Sequence, residues 1–158
     1  MHQPNTSTHT GTATVPSQAL CLVSCVSRKR TTSCRARELY TSPWFSKARA
    51  HVEQLGATWF ILSAAHGLLE PDRRIAPYDV TLRRMTAEAR RAWAARVLGE
   101  LEPHLRGKRR VVMFAGQRYR QYLVPLLEAR GHSIAVPLAG LAIGKQLAWF
   151  NAHTGVTP

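Results

Sequence analysis

Four short apolar runs, at residues 20–24, 57–63, 109–115 and 132–137, are each followed by a stretch in which apolar residues recur at helical spacing. This alternation constrains the chain more than any other feature. A run too short for a buried helix and apolar on consecutive residues fits a strand covered on both faces. Strand and helix repeated four times imply a three-layer α/β fold, with a mainly parallel sheet of about four strands and helices on both faces.

Helices are expected at 36–40, at 43–53 behind the cap Ser42, at 87–101 behind Thr86, at 117–130 behind Gly116 and at 140–152. Pro43 suits a first turn. Pro125 removes a backbone donor inside the fourth helix, so a kink or break is expected there.

At 158 residues the chain is long enough for one domain with its own core, expected over residues 18–154. Residues 1–17 contain no Asp, Glu, Lys or Arg and little that is apolar beyond Val15. Such a segment buries too little surface to offset its ordering entropy and is expected to be a flexible tail. It lacks the basic start and apolar centre of a secretion signal, and no apolar run reaches membrane-spanning length. A cytoplasmic protein is the expectation, with no membrane partner.

The 22 Lys and Arg outnumber the 9 Asp and Glu, giving a formal charge of +13 that falls wholly after the tail. Eighteen of the 22 are Arg. A GC-rich coding bias explains Arg in place of Lys, but not the shortage of acids. A field of that sign on a small domain favours polyanions, and nucleic acid, DNA first, is the expected partner.

Cys21, Cys25 and Cys34 are odd in number and form no paired CxxC, which points to reduced thiols. A zinc site would need a fourth ligand such as His66, and the spacing matches no familiar zinc pattern. No metal and no organic cofactor is expected.

Ligands of parallel sheets bind at the carboxyl ends of the strands, so the loops after Ser24, Ser63, Ala115 and Pro137 should share one rim. Arg28, Lys29 and Arg30 follow the first run and Arg37 opens the next helix. Arg73 and Arg74 follow the second run, and Arg118 follows the third. These are the candidate phosphate-binding residues. The stretch from Gly140 to Gln146 has one residue too few between its glycines for a nucleotide-triphosphate loop and lacks the Ser or Thr that binds magnesium. Its helix start and Lys145 still suit a backbone phosphate.

Residues 60–81, an apolar run that breaks at Ser63 and is expected to continue as one long loop, concentrate the remaining chemistry. Asp79, one of two Asp in the chain, sits among Arg73, Arg74, Arg83 and Arg84, which favour its ionised form. It could act as a base or stabilise a developing positive charge, or simply cap the turn before Thr81. His66 could donate to a leaving group or bond the backbone. Tyr78 and Tyr40 could stack on a base or fill the core, with Ser63, where the second run breaks, beside them. Ser24 and Cys25 end the first run and offer a hydroxyl, a thiol and backbone N–H groups to a base edge or phosphate. A Cys25 nucleophile with His66 as its base is a rival arrangement.

The segments LVSCVSRKR, ARELYTSPWF, ILSAAHGLLEPDRRIAPYDVTL and FAGQRYRQYLVPLL, spread over nearly all of the chain after the tail, carry a family likeness. They resemble an uncharacterised family of small bacterial and phage domains. That family is distantly similar to the YaaA-type peroxide-stress proteins and to the glycosylase-like domain of archaeosine synthase. The resemblance implies a uracil-DNA-glycosylase-like α/β fold and the handling of nucleobases, with Ser24-Cys25 and Tyr78-Asp79 as the matching positions. The chain departs from uracil glycosylases in having no Gly-Gln-Asp-Pro-Tyr-His run and no late His-Pro-Ser loop.

The expected function is that of a DNA glycosylase acting on a modified or damaged base in base-excision repair. Asp79 would orient water and His66 would stabilise the departing base. The alternatives are a noncatalytic reader of modified or single-stranded nucleic acid, and an enzyme on free nucleotides or tRNA.

Overall fold

The computed structural model describes residues 19–106 and 109–155. The tail expected over residues 1–17 lies outside the described residues. The main sheet contains β1 (Leu20–Ser24), β3 (Thr58–Ser63), β6 (Arg110–Phe114) and β7 (Ser133–Ala135), all parallel, and β4 (Gly67–Leu69) antiparallel on β3. Its order is β4-β3-β1-β6-β7. The expected α/β architecture and its four parallel strands are therefore present, with one edge strand added.

Two helices lie on each face. Beneath one pack α2 (Pro43–Gln54) and α5 (Ile143–His153), and beneath the other α3 (Ala87–Leu101) and α4 (Gln117–Ala129). Cys21 and Val23 point into the α2/α5 layer, while Leu20 and Leu22 point into the α3/α4 layer. That two-sided burial is why β1 reads as an unbroken apolar run. Burial also raises the Cys21 thiol to about 11, so this sulfur is core filling rather than a nucleophile.

Local sequence sets the helix starts. Ser42 accepts from the Phe45 N–H and Thr86 from the Ala89 N–H, both at 3.1 Å, satisfying donors the helix itself cannot. The break expected at Pro125 is absent, because α4 runs unbroken through it.

The largest departure from expectation concerns the stretch after Ser63. It does not leave the sheet as one long loop; three turn residues reverse the chain into β4. Gly67 makes the reversal possible, with φ +67° and the Arg96 and Glu100 side chains where a Cβ would stand. The His66-Gly67 pair is thus first a turn requirement. Farther on, β5 (Arg74–Ile75) pairs antiparallel with β2 (Cys34–Arg35), just ahead of the single-turn helix α1 (Ala36–Leu39). This small second sheet ties the two arginine-rich loops together.

Candidate nucleobase site at the sheet's switch point

β1 lies between β3 and β6. The chain leaves β1 for β3 on one side and returns to β6 on the other, so connections diverge above the carboxyl ends of β1 and β6. Such a divergence leaves a crevice between helix starts, the usual ligand site of an open α/β sheet. Here it holds a cavity of about 490 Å³, within the range of small-ligand sites.

Ser24, from the end of β1, lines it together with Gly116, the residue before α4. Trp44, Ile143 and Leu147 contribute apolar surface from the first turns of α2 and α5, and Tyr119 does so from α4. Gln146 supplies an amide whose orientation is fixed. Its Oε1 accepts from Trp44 Nε1 at 2.8 Å and its Nε2 donates to the Leu141 carbonyl at 2.8 Å. Ser24 is only 6% exposed, and its hydroxyl has no hydrogen-bond partner among the described residues.

A flat group with apolar faces and a polar edge suits these walls. Gly116 has open space where a Cβ would be, and no side chain caps α4. Its first amides therefore face the opening unblocked.

Beside this crevice lies a smaller cavity of about 210 Å³, sharing Val26 and Tyr119 with it. Cys25, Ser27, Lys29, Thr81, Arg83 and Arg118 line the rest of its polar wall. Cys25 Sγ lies 3.1 Å from the Tyr119 hydroxyl, so thiol and phenol form part of the partition between the two spaces.

Toward β3, the phenols expected to contact a base are engaged with one another. Ser63 Oγ donates to the Tyr78 hydroxyl at 2.8 Å and accepts from the His66 N–H at 3.0 Å. Tyr78 and Tyr40 pair through their hydroxyls at 2.7 Å, and Lys29 Nζ sits 4.5 Å from the centre of the Tyr78 ring. Burial pushes Tyr40, Tyr78 and Tyr119 far above the ordinary phenol range, and the nearby Cys25 sulfur adds to the shift. All three are neutral hydrogen-bonding groups rather than bases. Trp93 Nε1 closes the cluster from α3 by donating to the Ser63 carbonyl at 2.9 Å.

His66 stands edge-on to Tyr78, with ring centres 5.3 Å apart. Desolvation holds its pKa below the ordinary value, reinforced by the charges of Arg73 and Arg96. Asp79 is exposed, and neither it nor His66 lines the two adjoining cavities. Of the candidate base contacts, Ser24 and Cys25 reach these cavities, whereas Ser63, Tyr40 and Tyr78 form the hydroxyl cluster.

The cations divide similarly. Lys29 and Arg118 line the smaller cavity. Arg28, Arg73, Arg74 and Lys145 are exposed around the rim, and Arg30 borders a separate cavity over α2. Arg37 is occupied by carboxylates, with Glu53 and Asp72 each 2.8 Å away. Sequence reading missed Trp44, Tyr119, Gln146 and Thr81 as site residues, and placed Arg83 near the rim without giving it a role. The available signal was positional, since Trp44, Tyr119 and Gln146 all fall in the first turns of helices at the carboxyl side of the sheet.

Fold and crevice together define a three-layer α/β domain with a ligand-sized site at its switch point. The chain belongs to the family described as "Family of unknown function (DUF6884)", whose pattern matches residues 20–152. It is also similar to "Uncharacterized protein YfjM" of Bacillus subtilis (strain 168). The two are 30% identical over 146 residues, covering 84% of this chain and 92% of that one. No solved structure matches the chain.

Proposed function

We propose that this protein binds nucleic acid, with DNA as the partner, and draws a single base out of the stack into the crevice between Trp44, Tyr119 and Gln146. The reaction we assign is hydrolysis of the N-glycosidic bond of a modified or damaged base. The supporting observation is the crevice itself, with aromatic and aliphatic walls and a locked amide beside cations that can hold the flanking phosphates. The +13 charge supports the same partner.

In this reading Asp79 orients the attacking water and steadies the oxocarbenium-like sugar, while His66 interacts with the departing base. Asp79 is one residue from Val80, which lines the smaller cavity, so a shift of this segment onto bound DNA would bring its carboxylate to the sugar. A noncatalytic reader of modified bases is the second reading. It is favoured by the lack of any carboxylate in the walls of the two adjoining cavities.

Duplexes carrying uracil, hydroxymethyluracil, hydroxymethylcytosine or alkylated purines should release a base and break at the resulting abasic site in alkali. Asp79→Asn should lower that release by at least about a hundredfold, the scale of a lost acid–base group, while DNA binding persists. Tight binding without base release across the whole set would refute the glycosylase and leave the reader.

A further inference from the structure

Among the described residues, a cavity over α2 and the one beside the crevice are each lined by more than one cation, and they differ in what balances the charge. In the cavity over α2, Arg37 and Arg49 both bond Glu53, and Glu38 lines the same wall. With Arg30 also in the lining, three Arg face Glu38 and Glu53, and Asp72 also bonds Arg37, so most of the charge is balanced before any ligand arrives. In the cavity beside the crevice, Lys29, Arg83 and Arg118 line the wall and no lining residue is acidic. Among the described residues none of these three joins a salt bridge. Uncompensated positive charge in a recess is a standing attraction for an anion.

The remaining polar groups of the recess also suit an oxyanion. Ser27 contributes a hydroxyl, and Arg118 stands in the uncapped first turn of α4, where free N–H groups and the helix dipole favour negative charge. Independently, Thr81 Oγ1 is buried and has no hydrogen-bond partner among the described residues. A buried hydroxyl without a partner is costly, and a rotation about χ1 toward a bound oxyanion would satisfy it. The volume of about 210 Å³ is ample for a phosphoryl group. The recess shares Tyr119 and Val26 with the crevice, so the two lie side by side.

We infer that the recess formed by Lys29, Thr81, Arg83 and Arg118 is a phosphoryl site, and that the ligand unit is a nucleotide held with its base in the crevice and its phosphate in the recess. This rests on the reading of the crevice as a base site. The shared chemistry is a phosphate one sugar away from a base, which a free 5′-monophosphate and an internal phosphodiester both supply.

The test compares calorimetric binding of the common deoxynucleosides, their 5′-monophosphates, and trinucleotides lacking a terminal phosphate, all at one ionic strength. The wild type should bind the monophosphates or the trinucleotides about tenfold or more tightly than the nucleosides, as charge-assisted contacts to phosphate require. In Arg83→Gln/Arg118→Gln, two exposed positions whose loss should leave the melting temperature unchanged, that gain should disappear while nucleoside affinity stays. The arm that loses more identifies the source of the phosphate. Thr81→Val should remove a smaller part of the gain.

A wild type that binds nucleosides and phosphorylated forms equally, or a double variant that keeps the full gain, would overturn the phosphoryl site while leaving the base crevice intact. Binding to none of the three ligand sets would overturn both. Base release from DNA with no mononucleotide or trinucleotide binding would overturn the nucleotide unit alone.

Discussion

The cluster around Tyr78 and the crevice around Trp44 and Tyr119 lie along one edge of the same sheet, yet they use similar residue types to opposite ends. In the cluster, Ser63, Tyr78 and Tyr40 bond one another and the His66 backbone, so the hydroxyls serve as each other's ligands. In the crevice, Gln146 is fixed by bonds from behind, and the Ser24 hydroxyl has no partner among the described residues. A polar network that is internally satisfied rigidifies a fold; unsatisfied polar groups at the wall of a cavity offer themselves to a ligand. What separates a site from a brace is the hydrogen-bonding capacity left over.

Three experiments can break or sharpen this contrast. The largest effect is expected from Tyr78→Phe, which strips partners from the buried Ser63 and Tyr40 hydroxyls. It should cost about 1–3 kcal/mol in urea denaturation and leave affinity for nucleic acid unchanged. Unchanged stability with lost binding would move Tyr78 from brace to site.

A somewhat smaller loss, about 1–2 kcal/mol, should follow Gly67→Ala, because an L-residue is forced into the left-handed region at φ +67°. Binding should again be retained, and a loss of base release beyond the loss of stability would show that the turn also sets the place of His66 at the departing base.

The smallest effect is pH dependence. His51 is buried against Phe114, Trp149 and Phe150, and desolvation, followed by the charge of His153, holds its pKa below the ordinary value. His66 is shifted the same way. For both, the unfolded chain binds protons more readily, so their contribution is fully present above about pH 6.5. It is lost as pH falls from there through each folded-state pKa. Melting temperature should therefore drop between pH 7 and 5, and His51→Gln should flatten part of that slope. An unchanged slope would remove His51 as a source.

Much of the architecture was legible before any coordinates. The four parallel strands, the caps Ser42 and Thr86 and the span of α3 follow from local pattern, since burial on both faces and helix-end chemistry are written in neighbouring residues. The edge strand β4 was not legible. Three residues after a tight turn carry too little periodicity to distinguish a strand from a loop.

The site divided along the same line. Ser24, Cys25, Lys29 and Arg118 could be placed at the rim by topology alone, and they do line its cavities. Asp79 and Tyr78 drew attention by residue type, but exposure and hydrogen-bond saturation are properties of neighbours distant in the chain.

The sequence by itself determined the layered α/β class, because the period of apolar residues is a local quantity that fixes which faces must be buried. It also determined the net positive charge, because the excess of arginine is simply counted. Only the tertiary structure decided which polar groups were already spoken for. Trp44 meets Gln146 across about a hundred residues, and Cys25 meets Tyr119 across a similar span. The crevice between these pairs exists only once β1 and β6 lie side by side.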